Sequence, residues 1–159
     1  MQWLLTLDSE RDPIVICRLM NIFRRKGLTV ETLSLAARPE GYSWITVVNT
    51  PGAEMDHIFN FLRRTEGVSN IACYRHEPSA AASYVFVESG ANPENINRIL
   101  EALPGSRIIF ASHGKYLFEI QSNLPASISG LGESNILPLS RVKTSRRSSQ
   151  MELAGAISS

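Results

Sequence analysis

The side chains able to do chemistry are few and scattered along this chain. His57 lies between Asp56 and Ile58 in a helical pattern, His76 ends a strand-like run, and His113 sits in a tight turn. Such spacing converges on no metal or acid–base set, so surface or capping roles are expected. Cys17 and Cys73 form no CxxC and have no histidine at zinc spacing. Both read as buried, inert thiols, because no His or Asn partner stands ready to activate either one. There is no GxGxxG and no GxxxxGK[ST]. No catalytic residue and no metal ligand is expected.

The positive signal is the stretch Asp8-Ser9-Glu10-Arg11-Asp12-Pro13. Asp12 before Pro13 reads as an N-cap followed by the first helical residue. The free N–H groups and dipole at such a terminus favour a carboxylate ligand. In a βαββαβ unit this loop is expected to face the start of the second strand, near Leu28-Thr29-Val30, and a small amino acid would be held there across a dimer contact.

The elements that would position this loop follow from periodicity. Trp3–Leu7 is an apolar run of strand length. Val15, Ile16, Leu19, Met20, Ile22 and Phe23 recur close to every 3.6 residues. Arg24-Arg25-Lys26 complement the helix dipole and Gly27 stops the helix. Leu28–Leu35 is extended, Arg38–Gly41 is a turn, and Trp44–Val48 has strand character. Met55, Ile58, Phe59 and Leu62 mark a second helix, Arg63-Arg64 close it, and Val68–Tyr74 is a further strand. The order strand, helix, strand, strand, helix, strand then begins again. Tyr84–Val87, a helix from Pro93 to Leu103, and a hairpin of Arg107–Phe110 and Tyr116–Ile120 around Ser112–Lys115 are followed by a short helix in 124–131. A last strand covers Ile136–Leu139, where Pro138 favours an edge or a bulge.

The predicted fold class is α+β, with two tandem ferredoxin-like βαββαβ units, the second smaller. Residues 1–77 form the first unit, 78–83 a linker and 84–141 the second. Residues 142–159 read as a basic, Ser-rich, disordered tail carrying Lys143, Arg146 and Arg147 against Glu152. Each unit is near the lower size limit for a stable core, and exposed edge strands need cover, so dimerisation is expected.

Composition excludes several classes. The 159 residues are 43% hydrophobic and 19% charged, with a formal charge of +1. That suits a globular protein and offers no electrostatic footprint for nucleic acid or an anionic membrane. Tyr42, Trp44 and Tyr74 imitate a base-stacking sheet face, but no RNP-type signature accompanies them. No apolar run has membrane-spanning length, and Met1–Leu5 lacks signal-peptide features. A cytoplasmic protein is the expectation.

Glu10, Pro13, Arg18, Phe23, Gly27, Glu31 and Leu33 together resemble the ACT domain of the acetolactate synthase regulatory (small) subunit family. Ser43–Val47, His57–Leu62 and Val68 resemble its later elements, and Ser140–Lys143 falls where the family's second domain ends. The resemblance implies a non-catalytic regulatory subunit in branched-chain amino-acid (isoleucine, valine, leucine) biosynthesis. It would pair as a homodimer through ACT domains and activate a catalytic subunit that carries thiamine diphosphate, Mg²⁺ and FAD. No cofactor is implied on this chain. Allosteric feedback would act through a small amino-acid effector at the interface of paired ACT domains. By resemblance the effector residues are Arg11, Asp12, Pro13, Ile14, Thr29 and Val30. Three positions depart from the family: Ile14 stands for its glycine, Arg11 and Thr29 for its asparagines. The branched side chain of Ile14 obstructs backbone approach, which points to activation without valine sensitivity or to another effector. The alternative is a free-standing ACT-type amino-acid sensor acting on another target. An acylphosphatase-like enzyme on the same fold would need an Arg in a phosphate loop and a water-orienting Asn, for which Arg11 and Asn21 are poorly placed.

Overall fold

Strand β1 (Gln2–Ser9) leads through the Asp12 cap into α1 (Pro13–Arg25). Then come β2 (Thr29–Arg38), β3 (Gly41–Asn49), α2 (Gly52–Arg64) and β4 (Val68–His76). The second half holds β5 (Tyr84–Glu88), α3 (Pro93–Ala102), β6 (Arg107–Ser112), β7 (Lys115–Glu119) and β8 (Asn135–Arg146). This computed structural model describes residues 1–78, 82–89, 93–121 and 135–146. The short helix expected in 124–131 lies outside the described residues.

All pairings are antiparallel and make one eight-stranded sheet of order β2-β3-β1-β4-β8-β5-β7-β6. Each half has its first strand between its third and fourth, the ferredoxin-like order. The halves join where β4 pairs with β8. The edge that a dimer was expected to cover is therefore covered within the chain.

Strand alternation divides the apolar residues between two faces. Trp3, Leu5 and Leu7 of β1 face α1 and α2, packing with Val15, Leu19, Phe23, Ile58 and Leu62. Val85, Val87 and Phe118 meet Ile99 of α3 and Leu103 just beyond its end in the second half. The opposite face is apolar too. Leu4, Ile45, Val47 and Tyr74 of the first half form one cluster with Tyr84, Phe86, Phe110, Leu117 and Leu139 of the second. Twisted sheets coil, and here the sheet rolls until its two end strands approach: Ser34 of β2 lies 3.4 Å from Ser112 of β6, Oγ to Oγ. The helices stand outside the roll.

Three expectations change. The tail begins later than residue 142, because Val142–Arg146 belong to β8, and Lys143, Thr144, Ser145 and Arg146 pair with Cys73, Ala72, Ile71 and Asn70. The Ser and Thr content that suggested disorder is compatible with a strand whose partner supplies the ladder. Cys17 is exposed, whereas Cys73 is buried. The core side of α1 is set by Val15, Leu19, Ile22 and Phe23, and Cys17 falls off that stripe. Pro138 sits in an internal strand, at a point where β8 has β5 on one side and pairing with β4 starts only at Leu139.

Candidate functional site

The α1 N-terminus forms as its residue types dictate. Asp12 is extended and its Oδ1 accepts from the backbone N–H of Ile14 at 2.9 Å, with Pro13 opening the helix. Arg11 and Ile14 are exposed, Ile14 at 56%. The cap thus occupies an N–H that a carboxylate ligand would seek. Thr29 and Val30 begin β2, paired with Asn49 and Val48. Asn49 and Val48 in turn lie opposite Gln2 and Trp3, whereas the α1 loop follows Ser9 at the other end of β1. Within one chain, then, Arg11–Ile14 and Thr29–Val30 occupy opposite ends of the sheet. The expectation that the loop faces the start of β2 fails, because α1 spans the length of the sheet before β2 begins.

A different set of side chains does converge. A cavity of about 500 Å³ opens on the inner face of the roll, where the first half meets β6 and β8. Asp8 is held on its wall: Ser43 donates through Oγ to Oδ1 at 2.7 Å, and Asn70 donates through Nδ2 to Oδ2 at 2.9 Å. Thr6, Phe110, Arg38, Arg141 and Arg146 also line it. Behind it, Tyr74 and Tyr84 pack edge to face at 4.9 Å, and Arg141 stands 5.5 Å from the Tyr84 ring centre. Burial, and next the electrostatic influence of the neighbouring Tyr84 phenol, pushes the Tyr74 phenol up, while a hydrogen bond with Thr6 acts the other way.

Reading β1 as a five-residue apolar run concealed this site. The alternate series Leu4-Thr6-Asp8 and Asn70-Ala72-Tyr74 are the signal that would have found it, since each turns polar toward the same end of the sheet. Trp44 and Tyr74 make no stacking platform. Trp44 is buried under the helices and donates to Ser9 Oγ at 2.8 Å, while Tyr74 is buried on the other face.

On the outer layer, the basic ends of α1 and α2 flank an open groove lined by Arg18, Arg25, Lys26, His57, Phe61 and Arg64. Lys26 lies 5.5 Å over the half-exposed Phe61 ring. Among the described residues no three His, Cys, Asp or Glu side chains gather as a metal set, and no helix is long and apolar enough to cross a membrane.

No protein-family model matches the sequence, and neither does any curated protein. Similar solved structures include the acetolactate synthase small subunit of Thermotoga maritima, at 13% identity and TM-score 0.45, covering 93% of this chain and 98% of that one. Protein BT0572 of Bacteroides thetaiotaomicron is similar at 17% identity and TM-score 0.46, with 87% and 91% covered. The regulatory subunit of aspartate kinase from Thermus thermophilus is similar at 13% identity and TM-score 0.39, with 75% and 82% covered.

Proposed function

We propose that this chain is a non-catalytic, ACT-type regulatory subunit that activates the catalytic subunit of acetolactate synthase in branched-chain amino-acid biosynthesis. The observation that supports it most is where the residues carrying the resemblance fall. Pro13 starts α1, Phe23 fills the core beneath it, Gly27 follows it at φ +65°, and Glu31 and Leu33 lie on β2. Together they shape the β1–α1–β2 segment on which the resemblance rests. Thiamine diphosphate, Mg²⁺ and FAD belong to the catalytic partner in this reading, and the chain is cytoplasmic. Valine feedback through Arg11–Ile14 and Thr29–Val30 requires a second copy, because one chain holds these residues apart.

The test is co-purification with a candidate catalytic subunit, followed by acetolactate assays with and without valine, leucine and isoleucine. The expected result is a faster catalytic subunit and no acetolactate from the regulatory chain alone with all three cofactors. Absence of both association and activation would sink the assignment.

The pairing of β4 with β8 favours a second reading, a free-standing ACT-type sensor. A chain that joins its own two units side by side has made its paired arrangement without another subunit. Ligand binding without any effect on acetolactate synthase would favour that reading.

A further inference from the structure

One transverse row of the sheet is polar on its inner face at four of its five strands. Ala36 (β2), Ser43 (β3), Asp8 (β1), Asn70 (β4) and Arg146 (β8) are successive cross-strand partners. Arg38 lies two residues along β2 from Ala36 and so shares that face. Arg141, opposite Tyr74, adds a third guanidinium to the same cavity. Rows further into the roll are increasingly apolar, ending at Leu4, Val47 and Tyr74. The cavity thus has an apolar back, an anchored carboxylate on its wall, and arginines toward solvent.

The bonding of Asp8 leaves capacity toward a ligand. An ionised carboxylate offers about four lone-pair sites, and Ser43 and Asn70 take one on each oxygen. With both neighbours fixed in strands, the carboxylate is oriented before any ligand arrives. The three arginines make no ion pair with a carboxylate among the described residues. Guanidinium groups recognise carboxylates through paired N–H donors. The lining therefore asks for more negative than positive charge, with one cationic donor placed for Asp8.

We propose that this cavity is a binding site for a compact α-amino dicarboxylate, its ammonium on Asp8 and its two carboxylates on the arginines of β2 and β8. The site goes beyond the regulatory reading above and is independent of the enzyme regulated. It lies on the face of the sheet away from the helices and away from Arg11–Ile14. It is built from both halves, so a bound ligand ties β2 to β8 across the roll. A phosphate or simple dicarboxylate lacks the donor for Asp8 and meets its charge unpaired, which is costly in a partly desolvated site.

Calorimetry on the full chain tests this with matched probes: L-glutamate, its shorter homologue L-aspartate, glutarate without the amine, L-norvaline without the second carboxylate, and inorganic phosphate. One of the two amino dicarboxylates should bind at least about tenfold more tightly than glutarate, norvaline or phosphate. Asp8→Asn should remove that advantage and leave glutarate no weaker. Arg38→Gln and Arg146→Gln, at exposed positions where folding is not at stake, should each weaken the amino dicarboxylate, and no more than one of them, the one that holds the α-carboxylate, should also weaken norvaline. Circular dichroism of Asp8→Asn checks its fold, and the two arginine variants decide the matter if it fails. The proposal is overturned if no amino dicarboxylate binds at about 10 mM, well above the millimolar range of a weak site, if phosphate or glutarate binds as tightly, or if the arginine variants bind unchanged.

Discussion

Ser34 and Ser112 meet at 3.4 Å although 78 residues separate them and their strands are the two ends of the sheet. Their contact marks how the molecule handles its second apolar face. A four-stranded unit with helices on one side exposes the other side, and Leu4, Ile45, Val47 and Tyr74 make that side hydrophobic. Rolling the joined sheet buries the two such faces against each other. It also brings both free edges, β2 and β6, together, which limits edge-to-edge pairing with other chains.

The shared inner cluster should make the two halves one cooperative unit. Leu4 is fully buried in it. Leu4→Ala is expected to cost about 2–5 kcal/mol, the range for truncating a buried leucine. Both tryptophans, Trp3 and Trp44, are in the first half, so their fluorescence reports on that half while far-UV circular dichroism reports on the whole chain. The two signals should share one urea midpoint in the native chain and in the variant. Separate midpoints would show halves that unfold independently.

The cysteines predict a pH effect of defined sign. Burial, only partly offset by Lys143, pushes the Cys73 thiol from its ordinary 9.0 up to about 12. Below pH 9 the thiol is protonated folded or unfolded and has no effect. Between pH 9 and about 12 the unfolded thiol ionises while the folded one does not. The unfolded state then binds fewer protons, and stability falls as pH rises. Cys73→Ala should lose less stability than the native chain between about pH 8 and about pH 10. Thiol labelling under native conditions should modify Cys17 alone, and under denaturing conditions both residues. Rapid native labelling of Cys73 would contradict its burial.

The elements themselves were legible, because core residues repeat with clear periods: Val15, Leu19, Ile22 and Phe23 along α1, and Met55, Ile58, Phe59 and Leu62 along α2. Turn chemistry placed the β6–β7 hairpin at Ser112–Lys115. Contacts between the halves were not legible. Val142–Arg146 has little hydrophobic character and becomes strand by pairing with β4, a partner about 70 residues earlier in the chain by register. The cavity was hidden for the same reason. Asp8, Ser43 and Asn70 lie in three strands, and only register aligns them.

The revised end of β8 can be checked by truncation. A chain ending at Arg141 leaves Asn70–Cys73 of β4 paired with β1 but open on the β8 side, whereas one ending at Arg146 keeps that side covered. An open edge invites intermolecular pairing. Light scattering should show concentration-dependent association of the shorter chain and none beyond the native level for the longer. Equal behaviour of the two would mean that residues 142–146 add nothing to the sheet.

The last prediction concerns the approach of β3 to β1 beside the cavity. A Cβ on Gly41 would lie 1.9 Å from the backbone oxygen of Ser9, an atom that cannot swing aside. Gly41→Ala must push the start of β3 away from the end of β1. That shift loosens two bonds at the junction, Ser43 Oγ to Asp8 and Trp44 Nε1 to Ser9 Oγ. The expected cost is about 1–3 kcal/mol or more, typical of forced overpacking. Gly52→Ala is the matched control. A Cβ there meets only Trp3 Cζ2, at 3.8 Å, and an alanine suits the first turn of α2. Urea midpoints should fall for Gly41→Ala and hold or rise for Gly52→Ala. Calorimetry with the amino dicarboxylate should show weaker binding to Gly41→Ala alone, since only that change displaces the neighbours that orient Asp8. Equal midpoints and equal binding for the two variants would mean that β1 and β3 do not approach this closely at Gly41.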